Sequence, residues 1–181
     1  SISIGYYKND VATAEAIDSE GYFHTGDIGE LTTDGFLRIT DRKKEMFKTA
    51  GGKYVAPQAL ENKYMESTLI AQVMVVGENR KFPAALIVPA FDELEKWCNV
   101  KGIPFTSREA AIKTAAVIDK YQREIDRLNR GFGQWEKVKK FVLLPKEWSI
   151  EAGELTPKLS LKRKVILQRN AEIIDGIYEG E

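Results

Sequence analysis

Two runs of this chain, Ala71-Gln72-Val73-Met74-Val75-Val76 and Pro83-Ala84-Ala85-Leu86-Ile87-Val88, are apolar at nearly every position. A strand with one wet face alternates apolar and polar residues. A strand without alternation needs cover on both faces. Glu78-Asn79-Arg80-Lys81 separates the two runs, so they predict a hairpin. The remaining elements have to supply its cover.

Helices are available for that. Pro57 suits a helix start, where it gives up no needed N–H, and Ala59, Leu60, Lys63 and Tyr64 follow as far as Met65. Phe91 to Val100 reads as a second helix with Leu94 and Trp97 on its apolar side, ended by a turn at Gly102. Ser107 is placed to cap the longest helix, to about Arg130. Ala111, Ala115, Ile118, Tyr121, Ile125 and Leu128 would be its buried stripe, with Gly131 and Gly133 ending it. Val138 to Leu144 predicts another strand, closed by Pro145, and Glu151–Leu155 a turn and short strand. Leu159 and Leu161 alternate with Lys158, Ser160 and Lys162, which predicts a strand with one polar face. A last helix runs through Val165, Ile166, Leu167, Ile173, Ile174 and Tyr178.

The N-terminal part reads differently. A short helix passes through Val11, Ala14 and Ile17, with Asp10 as its cap. Gly21 to Asp27 predicts an aromatic strand stopping at a Gly-Asp turn. Glu30-Leu31 and Phe36–Thr40 flank Thr33-Asp34-Gly35, a hairpin signal. This part is β-rich and has no evident core, so it is expected to pack on chain that lies upstream. No initiator Met and no signal peptide are visible at Ser1-Ile2-Ser3-Ile4-Gly5, which fits a piece of a longer protein.

Composition excludes several classes. Lys+Arg and Asp+Glu both number 27, so no global field draws in nucleic acid or an anionic membrane. One cysteine, Cys98, excludes an intrachain disulfide and a cysteine-rich zinc site, and fits a reducing, cytoplasmic setting. No apolar run approaches the roughly 20 residues of a membrane span.

Chemistry concentrates in a few places. Around Thr40–Gly52, Asp41-Arg42 sets a carboxylate beside a planar bidentate donor suited to phosphate or carboxylate, and Gly51-Gly52 permits close backbone approach. Alone, this is a polar turn followed by a glycine turn. His24 has no acidic partner at a recognisable spacing and reads as structural. Asp27 is either a turn cap or a carboxylate for vicinal hydroxyls. The run Lys158–Lys164 is too small for a nucleic-acid groove and resembles one aimed lysine.

Taken in order, Gly5-Tyr6-Tyr7-Lys8-Asn9, Tyr22-Phe23-His24-Thr25-Gly26-Asp27, Asp41-Arg42-Lys43-Lys44, Lys48 with Ala50-Gly51-Gly52-Lys53, Pro57–Glu61, and Gly153-Glu154-Leu155-Thr156-Pro157 with its Lys-Arg run resemble the motifs of AMP-forming acyl-CoA synthetases. The tail resembles the long-chain fatty acyl-CoA synthetase branch. The resemblance covers essentially the whole chain.

It implies an α+β fold. Residues 1–43 would be the β-rich end of a large N-terminal adenylation domain. Residues 44–181 would be the mobile C-terminal domain, a short mixed or antiparallel sheet flanked by helices, with a long-helix insertion at about 91–135. The implied nucleotide-binding residues are Asp27, on the ribose hydroxyls, Arg42 and Thr25. Lys44 would be the hinge. Lys48 would serve thioester formation, and Gly51, Gly52 and Lys53 the CoA tunnel. A tail lysine would enter the site for adenylation. Related long-chain enzymes carry lysine where this chain has Ser160, so Lys162 and Lys158 both remain candidates, with Lys162 favoured because an Arg follows it.

The implied reaction is fatty acid plus ATP to acyl-adenylate, then CoA attack giving acyl-CoA, AMP and pyrophosphate. ATP or AMP and CoA are substrates, and Mg is expected on ligands further upstream, with no metal ligands here. The phosphate loop is expected upstream too, so this segment alone is expected to be inactive. No nucleic-acid partner is implied, and peripheral membrane association is left open. The rivals are a non-catalytic nucleotide- or partner-binding module and an adenylation domain serving a carrier protein.

Overall fold

The computed structural model describes residues 3–180, except the side chains of Thr40 and Asp41. The carboxylate of Asp41, paired in sequence with Arg42, therefore lies outside the described residues. The chain divides into two compact units, one ending at Glu45 and one beginning at Met46.

The first unit holds helix α1 (Asp10–Ala16) and a hairpin of β1 (Asp27–Leu31) and β2 (Leu37–Arg42). Asn9, not Asp10, caps α1: its Oδ1 accepts from Ala12 N at 3.0 Å. Asn caps as well as Asp and stands one residue earlier. Residues 21–26 form no strand beyond a single bridge between Ile17 and Phe23, so pairing begins only at Asp27. The Thr32–Phe36 turn closes as the sequence predicts, with Gly35 N–H on Thr32 C=O at 2.9 Å. No described side chain of this unit is buried, and Tyr7, Leu31, Phe36 and Leu37 are all exposed.

The second unit carries the core. A small hairpin of β3 (Phe47–Lys48) and β4 (Tyr54–Val55) leads into α2 (Pro57–Tyr64), whose Pro57 occupies the first turn. Strands β5 (Ile70–Val76) and β6 (Ala84–Pro89) pair antiparallel, and every residue of β6 is buried. Helices α3 (Phe91–Lys101), α4 (Arg108–Ala111) and α5 (Ala115–Leu128) follow. β7 (Lys140–Leu143) then adds parallel to β6, giving a mixed sheet of order β5-β6-β7. Helices α6 (Arg163–Arg169) and α7 (Ala171–Tyr178) complete the unit. Leu60 and Tyr64 of α2, Leu94 of α3, Ile125 and Leu128 of α5, and Ile166 of α6 share one buried cluster with the sheet.

Three further sequence expectations need correction. The long helix from Ser107 is two helices. Ser107 caps only α4, accepting from Ala110 N at 3.1 Å. The chain then breaks at Thr114, which turns extended while its hydroxyl donates to Ala110 C=O at 3.1 Å. Threonine competes with the helix ladder in this way. The break resets the phase, so Val117 is buried while Ala115 and Ile118 are exposed. The last helix is also interrupted, at Asn170, whose Nδ2 donates to Ile166 C=O at 2.8 Å. Lastly, Lys158–Lys162 is not a strand. Leu159 takes φ +62° in a tight loop, and only Leu155 and Leu161 bridge across it.

A buried polar network ties α2 to the α5–β7 connection. Tyr64 Oη donates to Asn129 Oδ1 at 2.7 Å, Asn129 Nδ2 donates to Val138 C=O at 2.9 Å, and Val138 N donates to Asn129 Oδ1 at 3.2 Å. Removing one member of such a network orphans the others. We expect Asn129→Ala to cost ~2–3 kcal/mol, and Tyr64→Phe only ~1 kcal/mol because Asn129 Oδ1 keeps Val138 N. Urea midpoints of the two variants check the order.

Three tyrosines make stability pH-dependent. Burial raises the pKa of Tyr64, Tyr121 and Tyr178, the last pushed up to about 12. Their hydroxyls donate to Asn129 Oδ1, Leu69 C=O and Phe82 C=O respectively. Each folded value lies above the roughly 10 of unfolded tyrosine, so the contribution is complete below about pH 10 and lost as pH rises above it. Urea midpoints should hold to about pH 10 and then fall. Tyr178→Phe should flatten part of that fall.

Candidate functional site

The predicted site residues fall into three local groups. The first lies on the β1–β2 hairpin. Asp27 and Arg42 are cross-strand partners, and Arg42 Nε reaches Asp27 Oδ1 at 3.1 Å. Both are more than a quarter exposed, so the pair adds little stability, at most ~1 kcal/mol. Its consequence is placement of a carboxylate beside a guanidinium at one hairpin end. Thr25 has a supporting role, because its Oγ1 accepts from Asp27 N at 3.1 Å and so fixes the backbone that carries the carboxylate.

His24 does have an acidic partner, contrary to the sequence reading. Its Nε2 lies 3.1 Å from Asp18 Oδ2. The Tyr22 backbone N–H, then His24, hold the Asp18 carboxyl below its usual range. Asp18 Oδ1 also accepts from Glu20 N and Tyr22 N, so this pair closes a turn. The six-residue spacing hid it, because only the turn brings the two together.

β2 ends in a turn closed by Glu45 N–H on Arg42 C=O at 2.9 Å, with Lys43 and Lys44 at its centre. Lys44 is exposed there, just before the boundary between the units.

The second group is the β3–β4 hairpin. Lys48 pairs across with Tyr54, and its Nζ lies 5.6 Å from the Tyr54 ring centroid. Lys53 Nζ lies 5.8 Å from the Trp135 ring. Sequence reasoning singled out neither aromatic. The turn closes by Thr49 N–H on Lys53 C=O at 2.9 Å and Gly52 N–H on Thr49 C=O at 2.8 Å. The β5–β6 loop supports it through Ala50 N on Arg80 C=O at 2.8 Å and Asn79 N on Lys48 C=O at 2.9 Å.

The two glycines differ. Gly52 has φ +78°, a conformation that disfavours a side chain. Gly51 does not, and a Cβ there would meet nothing closer than Thr49 Oγ1 at 4.0 Å. Turn geometry therefore explains Gly52 and leaves Gly51 unexplained. Gly52→Ala should cost ~1–2 kcal/mol, whereas Gly51→Ala should stay within about 0.5 kcal/mol of the parent in thermal unfolding.

The third group is the tail loop. Thr156 N donates to Ser160 C=O at 2.9 Å and Leu159 N to Thr156 C=O at 2.8 Å, which puts Lys158 at the loop tip. Lys162 precedes α6, with its N–H on Glu154 C=O at 2.8 Å. Both lysines are exposed. They do not share one face of a strand, because no strand forms. Beside them is a feature that sequence reasoning missed. Arg163 Nη1 donates to Glu61 Oε1 at 2.7 Å and Oε2 at 3.0 Å, and its Nη2 donates to Val75 C=O at 2.6 Å. Glu61 Oε1 also accepts from Val75 N at 2.7 Å. No sequence spacing signals a pair 102 residues apart.

With this geometry in view, the comparisons are consistent. The family model described as AMP-binding enzyme C-terminal domain matches residues 45–181, nearly the span of the second unit. The long-chain-fatty-acid–CoA ligase FadD15 of Mycobacterium tuberculosis is 39% identical over 181 residues, covering 98% of this chain and 30% of that protein. Human long-chain-fatty-acid–CoA ligase 1 is 38% identical over 179 residues, covering 96% of this chain and 25% of its own length. Among solved structures, the A domain of carboxylic acid reductase from Segniliparus rugosus, in complex with AMP and a co-purified carboxylic acid, superposes with a TM-score of 0.77 at 26% identity. That match covers 96% of this chain and 26% of the other. The fold is that of the C-terminal part of adenylate-forming enzymes. The chain belongs to the AMP-binding enzyme family, whose C-terminal domain it contains. It spans about 25–30% of the length of these curated relatives.

Proposed function

We propose that this chain is the C-terminal portion of a long-chain fatty acid–CoA ligase. The observation that carries the reading is 38–39% identity, over nearly the whole chain, to relatives named as such ligases. In the parent reaction the fatty-acid carboxylate attacks the α-phosphorus of ATP and expels pyrophosphate, giving the acyl-adenylate. CoA sulfur then displaces AMP from the acyl carbon.

The geometry supports roles in both halves. Asp27 Oδ1 faces the Arg42 guanidinium, and Oδ2 is placed to accept from a ribose hydroxyl. Arg42 beside it suits the adjoining α-phosphate. The first unit, with its apolar side chains uncovered, completes the large domain. The Lys43–Glu45 turn is where the second unit swings, with Lys44 as the pivot. In one orientation the tail loop delivers Lys162 or Lys158 to the charge developing on the acyl carboxylate and α-phosphate. In the other, Lys48 and the Gly51–Lys53 turn face the thiol, and the open space at Gly51 is clearance for pantetheine.

Among the described residues no group of three or more His, Cys, Asp or Glu side chains converges. No helix among the described residues is long and apolar enough to cross a membrane. The cytoplasmic assignment rests on the single free cysteine, and peripheral membrane association stays compatible with it.

A second reading, transfer to a carrier protein, is favoured only by the reductase-domain neighbours, which include an A-PCP didomain. Incubation of the full-length parent with fatty acid, ATP and CoA separates the two. Free acyl-CoA as product supports the ligase, and acyl-adenylate accumulating unused beside CoA defeats it.

The lysines divide the same way. Lys162→Ala in the parent should slow pyrophosphate release ~100-fold or more, with Lys158→Ala giving the smaller loss. If neither slows it, the tail does not serve adenylation.

A further inference from the structure

We infer that Arg163 is a positioning residue for the adenylation half-reaction: its buried grip on Glu61 and Val75 fixes the loop that carries Lys158 and Lys162. This rests on the ligase reading above.

α6 opens on Lys162, Arg163 and Lys164, with no acidic residue in its first turn and no side-chain cap. A helix N-terminus carries partial positive charge, so cations there oppose the dipole. Helix stability does not explain this run. The structure gives Arg163 a different task. Its side chain is 17% exposed and that of Glu61 10%, so both charges are largely withdrawn from water. The guanidinium meets both carboxylate oxygens and a β5 carbonyl, and the same carboxylate holds the Val75 N–H. One residue therefore bolts the start of α6 to α2 and to the central sheet.

The loop's other ties lie within its own turn, where Thr156 and Ser160 bond each other, or at its base on Glu154, which accepts from Ser149 N at 3.2 Å and pairs with Arg169 Nη1 at 3.0 Å. Leu155 and Leu161 make one bridge, and Lys162 N–H meets Glu154 C=O at 2.8 Å. Lys158 and Ser160 lie on the exposed turn between them. A lysine that must meet a phosphate within hydrogen-bond reach loses rate steeply with misplacement, about 100-fold for 1 Å. Arg163 follows Lys162 directly, so loosening its grip frees the loop exit whichever lysine acts. Lysine cannot replace it, because an ammonium cannot span two carboxylate oxygens and a carbonyl in one plane. The thioester-forming hairpin has its own supports, the bonds to Asn79 and Arg80, and does not use Arg163.

The test uses the full-length parent with Arg163→Lys, Arg163→Met and Glu61→Gln. Two steps are timed separately: pyrophosphate release from fatty acid and ATP, and acyl-CoA formation from supplied acyl-adenylate and CoA. The expected result is a loss of ~100-fold in the first step for Arg163→Met, from kcat rather than the KM for ATP, with the second within about twofold. Arg163→Lys and Glu61→Gln should show the same split at roughly tenfold. Equal losses in both steps, or none in the first, would overturn the proposal and leave the ligase reading intact. A parent that releases no pyrophosphate would sink that reading, and the proposal with it. Should Arg163→Met fail to fold, the other two variants decide on the same terms.

Discussion

Glu61 sets the constraint on which much of the second unit depends. Its carboxylate is only 10% exposed, and a charge withdrawn that far from water must be neutralised and hydrogen-bonded where it sits. The solution brings three distant stretches to one point: α2 supplies the acid, β5 a backbone N–H and carbonyl, and α6 the guanidinium. Replacing such a pair by apolar residues often costs nothing, so stability alone is a poor reason to keep it. A fixed mutual geometry of helix, sheet and tail is a better one.

The sheet follows the same logic with apolar contacts. β6 is buried along its whole length and hydrogen-bonded on both sides, antiparallel to β5 and parallel to β7. The parallel partner requires a crossover, and α3, α4 and α5 make it. The segment read as an insertion is therefore also the connection that carries the chain from β6 to β7. The polar network of Tyr64, Asn129 and Val138 ties down the point where it re-enters the sheet.

The sequence was most informative where one residue type does one job. The runs at 71–76 and 83–88 announced strands covered on both faces, Pro57 announced a helix start, and Thr33-Asp34-Gly35 announced a hairpin. It misled where two uses of a residue compete. Thr114 looks acceptable in a helix until its hydroxyl takes the Ala110 carbonyl and its backbone turns extended, and Asn170 until its backbone leaves helical values at φ −110° and ψ 19°. The alternation of Leu159 and Leu161 looked like a strand, but a leucine at φ +62° belongs to a turn, and no pattern of hydrophobicity reports φ. Asp27 and Arg42 were legible as chemical groups. That they face each other follows from the register of the hairpin, which a bulge between Ile28 and Gly29 shifts.

The glycine pair shows how a single motif can answer to two demands. Gly52 is favoured by its own backbone, whose φ of +78° disfavours a side chain. Gly51 is under no such requirement, and the space beside it is open. Local geometry accounts for one glycine of the pair and not for the other. The tail makes the same point in reverse. Lys162, Arg163 and Lys164 stand where a helix dipole disfavours them, and Arg163 is accounted for by Glu61 while the exposed Lys162 is not. Open space at Gly51 and an exposed cation at Lys162 are what a domain needs if it presents one surface to a thiol and another to a phosphate.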